Sequence, residues 1–333
     1  MFNIEIANCA AVFNLYLYLA KFTSFTKDQT LFDAFKSIDK SKLKQKDSVR
    51  YTILKAAITS NPTVANAFVT RLILNENGLS ACVIKTTENT FVVFKGTGKG
   101  EWIDNGAGLS GIAEQNEYLT YDKSGNIQKT TVEKDFASNQ QAEALNLYNY
   151  IVNTDDLSEN IIVTGHSKGG NKAQFVAINT DNVLYCISFN GQGFSPEAAM
   201  QFKDNENYRS RCQKIYSIST QNDYINVLGE QIYPPENKYY VSSCGGFHPI
   251  DSMLNKNGEL NPITTQGELS KYAESVSKKL LRLPPSRRAS ATNGVMNVFQ
   301  NIFGENNAVN GDDVTLSQTL VGLSIAIDTI LRK

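Results

Sequence analysis

Gly165-His166-Ser167-Lys168-Gly169 sets a hydroxyl, an imidazole and an ammonium side by side on a turn bounded by glycines. The apolar run Ile161-Ile162-Val163 precedes it, and a helix-like stretch from Asn171 to Ile178 follows. A serine in G-x-S-x-G between strand and helix reads as a nucleophile elbow. Gly165 and Gly169 support the turn, because a side chain at either position would crowd the strand or the helix. The turn lifts the Ser167 hydroxyl over the sheet edge, beside a helix start whose free N–H groups favour negative charge.

A serine hydroxyl needs a base, and the chain has two histidines. Side chains of neighbours on a sharp turn point apart, so His166 is read as packing or hydrogen-bonding beneath the elbow. His248 remains, in Gly245-Gly246-Phe247-His248-Pro249, just past the strand-like run Lys238 to Ser243. The acid that orients it is read as Asp223, directly after the strand Lys214 to Ser219. Asp251 is too close in sequence to His248, and Asp181 and Asp204 lie near helix ends. The order Ser, Asp, His is that of α/β-hydrolases. An oxyanion needs backbone donors. The N–H of Lys168 follows the nucleophile, and the N–H of Thr97 lies in the turn Phe94-Lys95-Gly96-Thr97. Gly96 to Gly100 lacks phosphate-loop spacing. No zinc-type cysteine spacing occurs, and no metal or organic cofactor is expected.

Strand-like runs alternate with helical patterns. Leu79 to Lys85 pairs with Thr90 to Phe94, Val183 to Phe189 is a buried strand, and Asn139 to Val152 repeats apolar residues at helical spacing. Ser195-Pro196-Glu197 opens another helix with a serine cap. Such alternation predicts an α/β protein with a mostly parallel sheet and helices on both faces. Ligands then bind beyond the carboxyl ends of the strands, and Ser167, Asp223 and His248 each follow a strand. The catalytic core is expected over 76–255. It carries an insertion at 98–138, with a hairpin within 118–132. Gly106 to Ile112 is either a lid or a plain loop. Residues 1–75 read as an N-terminal helical segment packing on the core, and 256–333 as a C-terminal helical extension of open role.

The 333 residues carry a formal net charge of −1, which gives no basis for nucleic-acid binding. Five scattered cysteines suggest no disulfide framework, and Cys82 and Cys186 read as core residues. Met1 to Ala20 lacks a basic start and a cleavage site and is expected to be a packed helix, as is Val314 to Leu331. The expectation is a protein that is cytoplasmic or exported without a cleavable signal peptide, and not integral to a membrane. The basic stretch Lys278 to Arg288 reads as a solvated linker, with transient membrane-surface contact as the alternative. A protein partner is left open.

Five stretches in order carry a resemblance. Val92 to Thr97 with Trp102 and Asp104 resembles the oxyanion loop of class 3 (fungal-type) lipases. Thr164 to Asn171 resembles their elbow, and more so that of the bacterial Mbeg1-like branch. Phe189 to Phe194, Asn222-Asp223 and His248 to Asp251 resemble that branch as well. The resemblance covers about Leu79 to Leu254. It implies an α/β-hydrolase fold, triad roles for Ser167, Asp223 and His248, oxyanion roles for Thr97 and Lys168, and hydrolysis of acyl esters in lipids. Phospholipids, a secreted effector aimed at membranes, acyl transfer or thioester hydrolysis on the same triad, and a binding protein with a dead site stay open. Lys168 departs from the family, which usually carries leucine there. Its ammonium is expected to point to solvent, with attraction of a lipid phosphate as the alternative.

Overall fold

The computed structural model describes residues 3–75, 78–97, 105–106, 108–109, 116–121, 127–132 and 137–292. Its strands are β1 (Gln29–Thr30), β2 (Phe68–Ile73), β3 (Ala81–Lys85), β4 (Asn89–Phe94), β5 (Asn116–Tyr121), β6 (Ile127–Val132), β7 (Asn160–His166), β8 (Val183–Phe189), β9 (Ile215–Thr220), β10 (Lys238–Val241) and β11 (Ile263–Thr264). Nine of them form one sheet in the order β1-β2-β3-β4-β7-β8-β9-β10-β11, and β5 and β6 form a separate ribbon. From β4 to β10 the neighbours run parallel, while β1 to β4 and β11 are antiparallel additions. This is an α/β-hydrolase fold.

The central strands are apolar on both faces, as a covered parallel sheet requires. Along β4, Phe91 and Val93 enter one core while Val92 and Phe94 enter the other. The first core is covered by α1 (Ile4–Leu19), α2 (Leu31–Lys36), α3 (Gln45–Ser60) and α4 (Pro62–Ala65). Asn3 caps α1 by accepting from the N–H groups of Glu5 and Ile6. Buried residues lie all around α1, the mark of a helix inside a fold rather than on its surface. Phe13 meets Phe91 edge-on with ring centroids 4.9 Å apart.

The second core is covered by α5 (Asn139–Thr154), α6 (Lys168–Asn179), α7 (Pro196–Asp204) and α8 (Glu206–Cys212). Ser138 and Gln141 form a capping box at the start of α5, and Ser195 caps α7 ahead of Pro196. After β11 come α9 (Glu268–Leu281) and a helix from 285 to the end of the described chain at 292.

Two expectations are corrected. Residues 1–75 are not wholly helical, since β2 is a strand of the main sheet. Its register with β3, with buried Val69 opposite Ile84, makes it so. The basic stretch is not a linker, since it continues α9 and enters the next helix, although Lys278, Lys279, Arg282 and Arg287 are exposed to solvent as expected. Lys278 pairs with Glu274 at 2.5 Å, and Arg288, 2% exposed, makes a two-pronged contact with Glu197 at 2.5 and 2.6 Å. Both contacts come from Arg288 Nη2, and Nη1 donates to the carbonyls of Leu281 and Leu283 at 3.2 and 3.3 Å, so the buried guanidinium is both paired and hydrogen-bonded. Cys82 and Cys186 are buried as expected. Among the described residues no helix is long and apolar enough to cross a membrane. The stretch Val314 to Leu331 and most of 98–115 lie outside the described residues.

Candidate active site

β7 runs straight into α6, and Ser167 sits at the junction with φ 59° and ψ −126°. A non-glycine residue there is strained and held by its surroundings. The glycines are dictated by close approach. A Cβ on Gly165 would lie 2.1 Å from the carbonyl of Gly169, and one on Gly169 would lie 2.1 Å from the Phe94 oxygen. The first turn of α6 is thereby pressed onto the end of β4. A Cβ on Gly96 would lie 2.6 Å from the Tyr18 hydroxyl and 2.9 Å from the His166 oxygen. The loop bearing Thr97 therefore lies directly against the elbow.

Three loops bring the expected side chains into line. His248 Nε2 is 2.9 Å from Ser167 Oγ, and His248 Nδ1 is 2.7 Å from Asp223 Oδ1. Asp223 is fully buried, and its Oδ2 accepts the N–H of Asn226 at 2.6 Å. Burial pushes the Asp223 carboxyl upward, and the adjacent His248 pulls it back down. Burial first, then the charge of Asp223, pushes the Tyr224 hydroxyl up to about 12. With Nδ1 facing a carboxylate, the neutral His248 ring carries its proton there and offers the Nε2 lone pair to Ser167. The rejected acids are engaged elsewhere: Asp251 accepts from Arg50 at 2.9 Å, and Asp181 pairs with Arg211 at 2.6 Å.

Lys168 is the first residue of α6, so its N–H has no carbonyl partner within the helix. Thr97 Oγ1 accepts from Asn105 Nδ2 at 2.9 Å, and Lys172 Nζ donates to the Lys95 carbonyl at 3.3 Å. The expectation for the Lys168 side chain is overturned. It is fully buried, and its Nζ reaches Ser138 Oγ at 3.3 Å beneath the start of α5. The ammonium does not face solvent, because it lies inward against Ser138 at the start of α5. Trp102 and Asp104 lie outside the described residues, as does most of Gly106 to Ile112.

Further residues surround this line, among them His166, which hydrogen-bonds beneath the elbow as expected. Asn190, with φ 48°, donates from Nδ2 to the His248 carbonyl at 2.8 Å and accepts the Thr220 N–H at 2.9 Å. It thus ties the loop of the base to the loop of the acid. The Thr220 hydroxyl donates to the Phe247 carbonyl. His166 Nε2 reaches the same His248 carbonyl at 2.7 Å, and its Nδ1 meets the Tyr18 hydroxyl at 2.8 Å. Burial, and next the neighbouring His248, hold His166 well below the usual imidazole range. The Asn190-Gly191 pair was a visible signal, since asparagine tolerates left-handed backbone. Nothing in the sequence pointed to Tyr18.

A cleft of about 350 Å3 opens over Ser167 and His248. Tyr224, Ile225, Leu228 and Pro249 line it with apolar surface, and Lys46 and Arg50 line it with cations. Among the described residues no group of three or more His, Cys, Asp or Glu could hold a metal.

The strand order, with Ser167 on the turn between β7 and α6, defines an α/β-hydrolase fold. Residues 130–244 match the Mbeg1-like family, and the chain is similar to that family over this stretch. No curated protein matches the chain. A solved structure described as a crystal structure of fungal lipases is 10% identical, with a TM-score of 0.42, over 82% of this chain and 92% of that one. At that score the likeness carries no argument, and the fold class rests on the strand order. Family similarity and fold together suggest an ester hydrolase.

Proposed function

We propose that this protein hydrolyses carboxylic esters of the lipid type through an acyl-serine intermediate. The observation that carries the reading is the continuous line from Asp223 through His248 to Ser167, at 2.7 and 2.9 Å. His248 Nε2 takes the Ser167 proton as Oγ attacks the ester carbonyl, and later returns it to the leaving alcohol. Asp223 fixes the imidazole tautomer and stabilises the imidazolium that forms. The N–H groups of Thr97 and Lys168 receive the oxyanion. Water, activated by the same imidazole, then releases the acid.

The apolar wall of Tyr224, Ile225 and Leu228 suits an acyl chain, and Lys46 in the same cleft suits an anionic head group, while Arg50 there is already paired with Asp47 and Asp251. Esters that carry both, such as phospholipids, are the favoured substrates. Turnover of a short-chain nitrophenyl ester, a glyceride and a phospholipid by the full chain, with Ser167→Ala as control, tests the reading. We expect a fall of about ten-thousand-fold or more in the variant, with its circular dichroism unchanged. Undiminished turnover by Ser167→Ala would overturn it. Product analysis with competing alcohols or thiols separates hydrolysis from acyl transfer.

A further inference from the structure

We infer that Tyr18 and His166 act as a positioning relay that fixes the His248 loop from behind, so that α1 is a working part of the active site. The inference rests on the proposed triad for its kinetic consequences, but its geometry stands apart from them. Helix α1 lies along β7 with matched spacing. Four residues of helix rise about 6 Å, and two residues of strand span about 6.6 Å. Asn14 and Tyr18 therefore meet Thr164 and His166 in step. Asn14 Nδ2 donates to Thr164 Oγ1 at 3.0 Å, and the Tyr18 hydroxyl meets His166 Nδ1 at 2.8 Å.

The chemistry of the partners fixes the proton positions. The partner of His166 Nε2 is the His248 carbonyl, at 2.7 Å, which can only accept. Nε2 therefore carries the proton. Nδ1 is then an acceptor, and Tyr18 must donate to it. Had the proton sat on Nδ1, a lone pair would face the carbonyl and the contact would turn repulsive. The carbonyl thus selects the tautomer, Tyr18 reinforces it by donating to Nδ1, and the tautomer holds the carbonyl of the residue whose ring serves Ser167. Burial keeps His166 neutral, so no second positive charge arises 4.9 Å from the His248 ring when that ring becomes cationic. Asn190 grips the same carbonyl from the other side. A backbone carbonyl held by two donors leaves the ring above it little freedom to swing away from Ser167.

The test uses the full chain. Nitrogen NMR of histidine-labelled protein should show His166 neutral with its proton on Nε2. Tyr18→Phe should weaken that preference and lower kcat about tenfold with KM within about twofold, the worth of one buried hydrogen bond at the transition state. His166→Gln keeps an N–H able to reach the carbonyl and should stay within about threefold of the parent kcat, whereas His166→Leu should lose about a hundredfold. A proton found on Nδ1, or Tyr18→Phe folded and turning over at the parent kcat, overturns the relay. If the parent chain shows no turnover and Ser167 resists acylation, the hydrolase reading fails. The tautomer of His166 then decides the relay alone.

Discussion

The two faces of the central sheet treat the elbow differently. On the α5–α6 face the tightest approaches are of backbone against backbone, Gly165 against Gly169 and Gly169 against Phe94, with side-chain contacts such as Lys168 Nζ to Ser138 Oγ at 3.3 Å added to them. That face sets the strained turn and the direction of Ser167. On the α1 face the contacts are between side chains, Asn14 to Thr164 and Tyr18 to His166. That face holds the loop of the base. The family match, over 130–244, spans the first face and stops short of both α1 and His248. The matched stretch thus holds Ser167 and Asp223, and Tyr18 and His248 lie outside it. On the proposed triad, nucleophile and base are steadied from opposite sides of one sheet, the first mainly by close backbone approach and the second by side chains.

This comparison can be broken, beginning with its largest consequence. Asp223→Asn should reduce kcat about ten-thousand-fold while retaining the fold, because the amide imposes the wrong His248 tautomer. Steady-state kinetics beside a thermal melt read both quantities. Parent-like kcat would detach the acid loop from the chemistry. Next comes the core beneath α1. Phe13→Ala removes the ring packed on Phe91 and should cost about 3–5 kcal/mol of stability, read from urea unfolding. A smaller loss would mean that α1 is not a full member of the fold.

His166 gives a third, pH-dependent effect. Its folded pKa is depressed by burial and by His248, with Arg50 adding to the same direction. A depressed pKa contributes stability that is fully present above the unfolded value, about 6.5. That stability is lost as pH falls from there toward the lower folded value. Between pH 6.5 and 5 the parent should lose up to about 1.4 kcal/mol per pH unit from this group. His166→Gln should flatten that part of the curve, and an unchanged slope would show that His166 titrates freely. The smallest effect concerns Lys168. Its ammonium is buried against Ser138, so Lys168→Met should leave the ratio of rates on anionic and neutral esters within about twofold. A larger change in the ratio would place the ammonium within reach of substrate.

Much of the front of the site was legible because it is written in short-range signals. The glycines of the elbow, the serine cap before Pro196 and the loops after β9 and β10 each announce themselves within a few residues. The side of the site behind the elbow was not legible, since it depends on register between elements far apart in the chain. Asn14 showed only as a polar residue inside an apolar run, and its purpose required knowing that Thr164 lies across from it. Tyr18 could not be told from the other aromatic residues of α1. The direction of the Lys168 side chain depended on where α5 begins, a tertiary fact. The strand β2 escaped notice because it follows four helices and joins the sheet by pairing with β3 on one side and the two-residue β1 on the other.

The central claim is that Ser167 is activated by His248 and Asp223. Its most direct test is phosphonylation of the full chain with a fluorophosphonate, in which the serine oxygen displaces fluoride from phosphorus, followed by mass mapping of the modified peptide. The account predicts one label per chain, on Ser167, formed in the parent at least about a hundredfold faster than in His248→Ala. A parent chain left unmodified, a label on another residue, or equal rates in the two proteins would contradict it.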